Sequence, residues 1–326
     1  MKRAYRALAW LLLLAFLLLA LVACLKSAPA TIPTLLPTVG PKATAFPTRT
    51  FTRTPSPTPT LTPTPTPTST PSLSALARHM LELVNRDRQA AGLNPLEWDE
   101  TAAQVGQAHA EEMVTHGYLS HWNFLGYGPE HRYFFAGGRD VVRENVYSFY
   151  QRYNTGEGVP IEDWEGTIAS AQQKLMESPG HRENILQPSH THVGIGIAYD
   201  PKRGELRIAQ EFVDRYVAVE PVPGQVSLGG SLEVAGRVLP GASSPLLNLA
   251  YEPFPQPMTM EALNTTSTYQ SAAETYQAVA PNLQGDRFAA TIRFNATDKP
   301  GLYHLRIWVA QSGEQIVASD LIVAVQ

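Results

Sequence analysis

Val193-Gly194-Ile195-Gly196-Ile197-Ala198-Tyr199 alternates large side chains with glycine and alanine. A period of two is the mark of a β-strand. A turn signal follows at Pro201-Lys202-Arg203-Gly204, and Leu206 to Val213 reads as the returning partner strand. Upstream lies Ser178-Pro179-Gly180-His181-Arg182-Glu183-Asn184-Ile185-Leu186. The residue before a proline avoids the helical region and glycine tolerates unusual dihedrals, so the Ser-Pro pair ends a helix running from Ile161 or Asp163 through Met176. Ile168, Ala171 and Leu175 align on one face of that helix, and His181 falls just outside it.

Two more helical stripes precede it. Leu76, Met80, Leu83 and Val84 follow i, i+4, i+7, i+8 spacing from a start near Ser74, with Gly92 as the stop. Asp99 or Thr101 to about Thr115 places Ala102, Gly106, His109 and Met113 together. Helices packed on a small antiparallel hairpin sheet give an α/β layered domain over 74–216. Beyond Tyr216 the pattern shifts to short apolar runs punctuated by Pro, Gly and Ser. Ser231 to Val238, Leu246 to Tyr251, Phe288 to Phe294, Leu302 to Val309 and Ile316 to Val325 read as strands, with Tyr303, Leu305, Ile307 and Val309 on one face. An all-β, immunoglobulin-like sandwich over 217–326 is expected, and 254–280 fits it only as a long insertion.

The N-terminal part is built differently. Met1 to Arg6 carries three bases, and Ala7 to Ala23 is apolar without a charge, the layout of an export signal over 1–23. It closes on Leu21-Val22-Ala23-Cys24, which resembles the bacterial lipobox and implies lipidation of Cys24. The alternative is an uncleaved anchor. Residues 24–73 form a tether: between Phe51 and Ser72, 16 of 22 residues are Pro or Thr, a composition that favours extended polyproline II and cannot bury a core. At about 3.1 Å per residue it reaches on the order of 100–150 Å from the membrane.

Charge and cysteine usage exclude several functions. The formal charge is −4, and setting aside Lys2, Arg3, Arg6, Lys26, Lys42, Arg49 and Arg53 leaves −11 on 74–326. Such a surface does not attract nucleic acid. Cys24 is the single cysteine, so there is no intrachain disulfide, cysteine nucleophile or thiolate zinc site. Ser178 lacks a Gly-x-Ser-x-Gly context, which speaks against a serine hydrolase.

In order, the first domain presents Asn85-x-x-Arg88, Gly92-Leu93-Asn94-Pro95-Leu96-Glu97-Trp98-Asp99, His109-Ala110-Glu111-Glu112-Met113, Ser120-His121, Arg132, Glu144-Asn145, Ser178-Pro179-Gly180-His181-Arg182 and Val193-Gly194-Ile195-Gly196. Over about 75–215 this series resembles the CAP superfamily (cysteine-rich secretory proteins, antigen 5 and plant pathogenesis-related proteins) in a cysteine-free bacterial form. The resemblance implies an α-β-α sandwich and a cleft lined by two histidines and two acids. His121, Glu144 and His181 match three of those positions. At the fourth the register favours Ser178 over Glu177. Arg143 replaces the usual glycine before Glu-Asn, where its cation would pair with Glu144.

Two neutral imidazoles and a carboxylate can hold a divalent ion such as zinc, or keep a proton between them. The same three groups can instead only lock three loops together. His109 reads as a core histidine, Asn85 and Arg88 as helix-end packing groups, and Arg132 as a partner for a cleft acid. His190 and His192 read as an exposed loop, and Glu183 and Asn184 as the opening of a short helix. The expected function is an exported, lipid-anchored protein that binds a lipid, an envelope polymer or a protein at the cell surface. The alternative is a metal-assisted hydrolase of peptidase type, with His121, Glu144 and His181 as catalytic candidates.

Overall fold

Three layers meet at the strand His192–Asp200. The computed structural model describes residues 71–326 except 267, 270–273, 296 and 297, so the export signal, Cys24 and nearly all of the tether lie outside the described residues. Helix α1 (Leu73–Ala90) is capped by Ser72, whose hydroxyl accepts the Ala75 N–H at 3.1 Å, and its buried stripe includes Leu76, Met80, Leu83 and Val84. Gly92 takes the left-handed conformation that ends it. Helix α2 (Glu100–His116) is capped by Asp99 at 2.7 Å and stops at left-handed Gly117. Helix α4 (Trp164–Glu177) starts at Asp163, as the sequence predicts.

Strands β1 (Glu97–Trp98), β2 (Val141–Tyr150), β3 (His192–Asp200) and β4 (Glu205–Asp214) form one sheet in the order β1-β3-β4-β2. Here β4 is antiparallel to both β2 and β3, and β1 runs parallel to β3. Val193, Ile195 and Ile197 pack with Met80, Val84, Ile168 and Leu175 on the face covered by α1 and α4. The glycines between them point at α2. A Cβ on Gly194 would stand 2.0 Å from the Ala103 nitrogen and one on Gly196 would stand 2.1 Å from that of Gln107. The alternation therefore sets layer spacing: bare positions let α2 lie against the backbone, and bulky ones fill the opposite core.

Two elements depart from the sequence reading. Glu144 and Asn145 lie in β2 and not in a loop, because both faces of this edge strand are covered, so a buried polar pair interrupts the alternation. His181 lies inside a short helix, α5 (Pro179–Ile185), and not beside one: Pro179 at its first turn lacks only an N–H that a helix start leaves unbonded. Helix α3 (Pro129–Phe135) follows the same proline rule at its first position.

The C-terminal region is β-rich. One sheet holds β5 (Val217–Val219), β7 (Ser231–Val238), β10 (Asn282–Gln284) and β11 (Arg287–Arg293) in the order β10-β11-β7-β5. The other has the order β6-β13-β12-β8-β9, from β6 (Gln225–Val226), β8 (Ala242–Glu252), β9 (Glu274–Val279), β12 (Gly301–Gln311) and β13 (Glu314–Val325). Tyr303, Leu305, Ile307 and Val309 are all buried in the core shared by the two sheets, and Phe134 of α3 joins that core. The 254–280 interval holds helix α6 (Met260–Thr265) and all of β9. It packs on the first domain: Leu263 is buried with Met113, Tyr118 and Val146. Among the described residues no helix is long and apolar enough to cross a membrane.

Candidate functional site

The register of β2 against β4 builds the site. Glu144 pairs with Glu211 and Asn145 with Gln210, and directly opposed residues point to the same face, so the carboxylates face α2 and the amides face α4. On the amide side the hydrogen bonds run in one direction. Asn184 donates to Asn145 (3.1 Å), Asn145 to Gln210 (3.2 Å), Gln210 to Gln172 (2.9 Å) and Gln172 to Asp87 (2.9 Å). Asp87 can only accept, which fixes the orientation of every amide before it. Asn145 also donates to the His181 carbonyl at 3.2 Å, tying α5 to the sheet.

On the carboxylate side, two acids are fully enclosed and a guanidinium is largely so. Arg132 reaches Glu144 Oε2 at 2.5 Å and stands 3.6 Å from Glu211 Oε1. It also donates to the carbonyls of His121 and Tyr127, at 2.7 and 3.1 Å. His121 donates from Nδ1 to Glu144 Oε1 at 2.8 Å, which leaves its Nε2 lone pair available. Burial would lower the Arg132 guanidinium, but Glu144, Glu211 and Glu130 outweigh it and raise it. Burial and the neighbouring Glu144 push Glu211 well up, so Glu211 keeps its proton more readily than its neighbour does. Burial first, and Arg132 second, hold His121 down at about 4. Burial, with His121 next, also lowers His181. Both imidazoles are neutral at neutral pH.

His121, Glu144 and His181 line one cleft of about 380 Å³ with Arg143, Asn145, Ser178 and Tyr269. The three are not drawn into one ligand set. Both Glu144 oxygens are committed, one to His121 and one to Arg132, so Glu144 orients an imidazole and is not a free metal ligand. Among the described residues, ligand atoms of three such side chains approach within 4.8 Å of one another only at His131, Glu252 and His304. The expected His121–Glu144–His181 metal triad thus does not fit these positions, although His121 Nε2 and His181 remain two available donors.

Other expectations sort clearly. Arg132 is the partner of the cleft acid, whereas Arg143, adjacent on the same strand, points to the opposite face and is exposed. Asn85 exchanges hydrogen bonds with the Leu96 backbone, and buried Arg88 donates to the carbonyls of Asn94, Ile185 and Gln187. His109 is buried, with Nε2 donating to the Ser120 carbonyl at 2.8 Å. His190 is not in an exposed loop; it is buried, stacked on Phe212 of β4 and 2.5 Å from Asp214 at the end of that strand. His192 is half-buried at the start of β3, and exposed Glu177 pairs with Lys174 away from the cleft.

Tyr269 is unforeseen. Its ring centroid lies 4.8 Å from that of His121, and its hydroxyl accepts the Glu144 N–H at 3.0 Å. The neighbouring segment is held by Trp122 Nε1 donating to the Thr268 carbonyl at 3.0 Å and by Ser120 Oγ to that of Thr266 at 3.3 Å. No local pattern marks Tyr269, whereas Gln210-Glu211 inside a buried apolar strand is a signal the sequence does contain.

Comparisons agree with the first domain. Residues 81–217 match the model of the cysteine-rich secretory protein family, CAP. The uncharacterized protein YkwD of Bacillus subtilis is 35% identical over 125 residues, 38% of this chain and 43% of that protein. The uncharacterized membrane protein YlbC of the same organism is 31% identical over 120 residues, 37% of this chain and 31% of its own length. The chain thus spans less than half of these curated relatives. An extracellular protein containing an SCP domain from Bacillus anthracis is similar over 44% of this chain and 41% of its own, at 25% identity and a TM-score of 0.35.

Proposed function

Because residues 81–217 are a domain of the CAP family, we propose that this chain is an exported, lipid-anchored binding protein whose cleft takes a lipid, envelope-polymer or protein ligand at the cell surface. The lipobox-like Leu21-Val22-Ala23-Cys24 supports the anchor, and the Pro/Thr-rich tether gives the domain its reach. The β-rich region acts as an immunoglobulin-like module that braces the domain and, through Tyr269, narrows the cleft. One observation favours binding over hydrolysis: both oxygens of Glu144 are engaged by His121 and Arg132. That carboxylate is a fixed support for the His121 imidazole and is not itself free to act as a base, a nucleophile or a metal ligand.

The test follows the ring signals of His121 and His181 by NMR while zinc chloride, muropeptides or anionic phospholipid vesicles are added, with product release monitored by mass spectrometry. Saturable shifts at the two rings without turnover support the reading. Turnover that disappears in His121→Ala, or rings unmoved by all three probes, would overturn it. For the anchor, Cys24→Ser is expected to release the processed protein from membranes.

A further inference from the structure

Away from the cleft, a second histidine cluster joins the two halves of the molecule. His131 comes from α3, Glu252 ends β8 and His304 sits in β12. Both histidines are fully buried, and Glu252 is largely so. His131 Nε2 and His304 Nε2 lie 3.0 and 2.9 Å from the same oxygen, Glu252 Oε2. The two rings stand nearly perpendicular, 5.5 Å apart, with both Nε2 atoms converging on one point. Residues of β12 alternate: Tyr303 and Leu305 enter the sandwich core while His304 turns outward to meet α3.

Each ring also has a carboxylate near its other nitrogen. Asp320 Oδ1 is 2.9 Å from His304 Nδ1. Glu130 Oε1 is 3.9 Å from His131 Nδ1, and the Glu130 side chain is buried with neither oxygen hydrogen-bonded among the described residues. A buried carboxylate without a partner is costly and requires a counter-charge. Three acids, Glu130, Glu252 and Asp320, surround this point, with Arg306 Nε 3.4 Å from Asp320 as a nearby cation.

We propose that His131, Glu252 and His304 form a divalent-cation site, suited to Zn2+, that fastens the first domain to the β-rich region. Two imidazole nitrogens and one carboxylate oxygen are the donor set of a three-ligand zinc site with a fourth position open to water. Asp320 on the distal nitrogen of His304 orients that ring and raises its basicity, as a carboxylate does behind a metal-bound histidine. Without an ion, His131 Nδ1 accepts the Gly128 N–H at 3.2 Å. Binding through Nε2 moves the ring proton to Nδ1, so the bond from Gly128 must be given up, and Glu130 Oε1, 3.9 Å away, becomes an acceptor for that proton after a small shift of the ring.

The test uses the full chain, stripped by chelator and then equilibrated with zinc or cobalt. About one equivalent should bind and raise Tm by roughly 5 °C at a hundredfold excess over Kd. The equivalent should persist in His121→Ala/His181→Ala, which disables the cleft, and vanish in Glu252→Gln. Should the variants not fold, cobalt on the unmodified chain should broaden the ring signals of His131 and His304. Absence of a bound equivalent, its retention in Glu252→Gln, or broadening confined to His121 and His181 would overturn the proposal.

Discussion

The two histidine clusters of this molecule use similar parts to opposite electrostatic ends. In the cleft, Glu144 faces His121, but Arg132 claims the other oxygen, and burial with that cation keeps the imidazole neutral, at about 4. Between the halves, His304 meets Glu252 on one nitrogen and Asp320 on the other. Burial would lower it, yet Asp320 and Glu252 outweigh burial and lift it to about 10. Glu252 itself is resisted by burial but drawn down to about 2 by His131 and His304. What decides the charge of a buried histidine is thus whether a competing cation has already taken the carboxylate.

The largest expected effect tests that competition directly. Arg132→Met removes the cation and leaves Glu144 and Glu211 buried beside each other. Urea denaturation should show a loss of about 3–5 kcal/mol, the usual result of stripping one partner from an enclosed ion pair. The His121 titration should move upward, since one of its two depressing causes is gone. An unchanged His121 titration in a folded Arg132→Met would break the comparison.

A second effect follows from opposite signs. His304 is raised above its ordinary 6.5, so its contribution is complete below pH 6.5 and is lost as pH rises through about 10. His121 is lowered, so its contribution is complete above pH 6.5 and is lost as pH falls through about 4. The groups facing His304 are Asp320 from β13, Glu252 from β8, Arg306 from β12, and His131 with Glu130 from α3. In chelator-treated protein the unfolding free energy from urea denaturation should decline on both sides of neutrality, by up to about 5 kcal/mol on the alkaline side and about 3 kcal/mol on the acid side. His304→Gln should flatten the alkaline limb, which His121→Gln leaves in place, and His121→Gln should flatten the decline between pH 6.5 and about 4. Variants that flatten the wrong limb would reverse the assignment.

How much of this was legible beforehand depends on how local each signal is. The stripe Leu76-Met80-Leu83-Val84 and the alternation from Val193 to Tyr199 specify α1 and β3, because one element's own period carries the information. Pro179 marked the start of α5 as well as the end of α4, and reading only the stop placed His181 outside a helix. Strand β2 was hidden because Glu144 and Asn145 are buried by partners 65 and more residues away, Gln210 and Glu211, and no local period reports that. His131 lies 121 residues before Glu252, and His304 another 52 beyond it. Their meeting depends on how α3 packs on the β-rich region, which no spacing encodes.

The smallest expected effect concerns the residue that bridges the two regions. Tyr269 belongs to the connection between β8 and β9, yet it lies against His121 and accepts the Glu144 N–H at 3.0 Å. Removing the ring gives up one hydrogen bond, worth about 1 kcal/mol net, in a site that water can then enter and satisfy. Tyr269→Ala should therefore cost about 1 kcal/mol or less, measured by urea denaturation. Its stronger signature should be at His121, whose depression is led by burial: opening the cleft should raise that titration, while His304 stays where it is. Tyr269→Phe separates the two contributions, since it keeps the ring over His121 and loses only the hydroxyl, and should leave the His121 titration nearly unmoved. If both variants shift His121 equally, the hydroxyl at the Glu144 N–H sets the imidazole's charge and shielding by the ring does not.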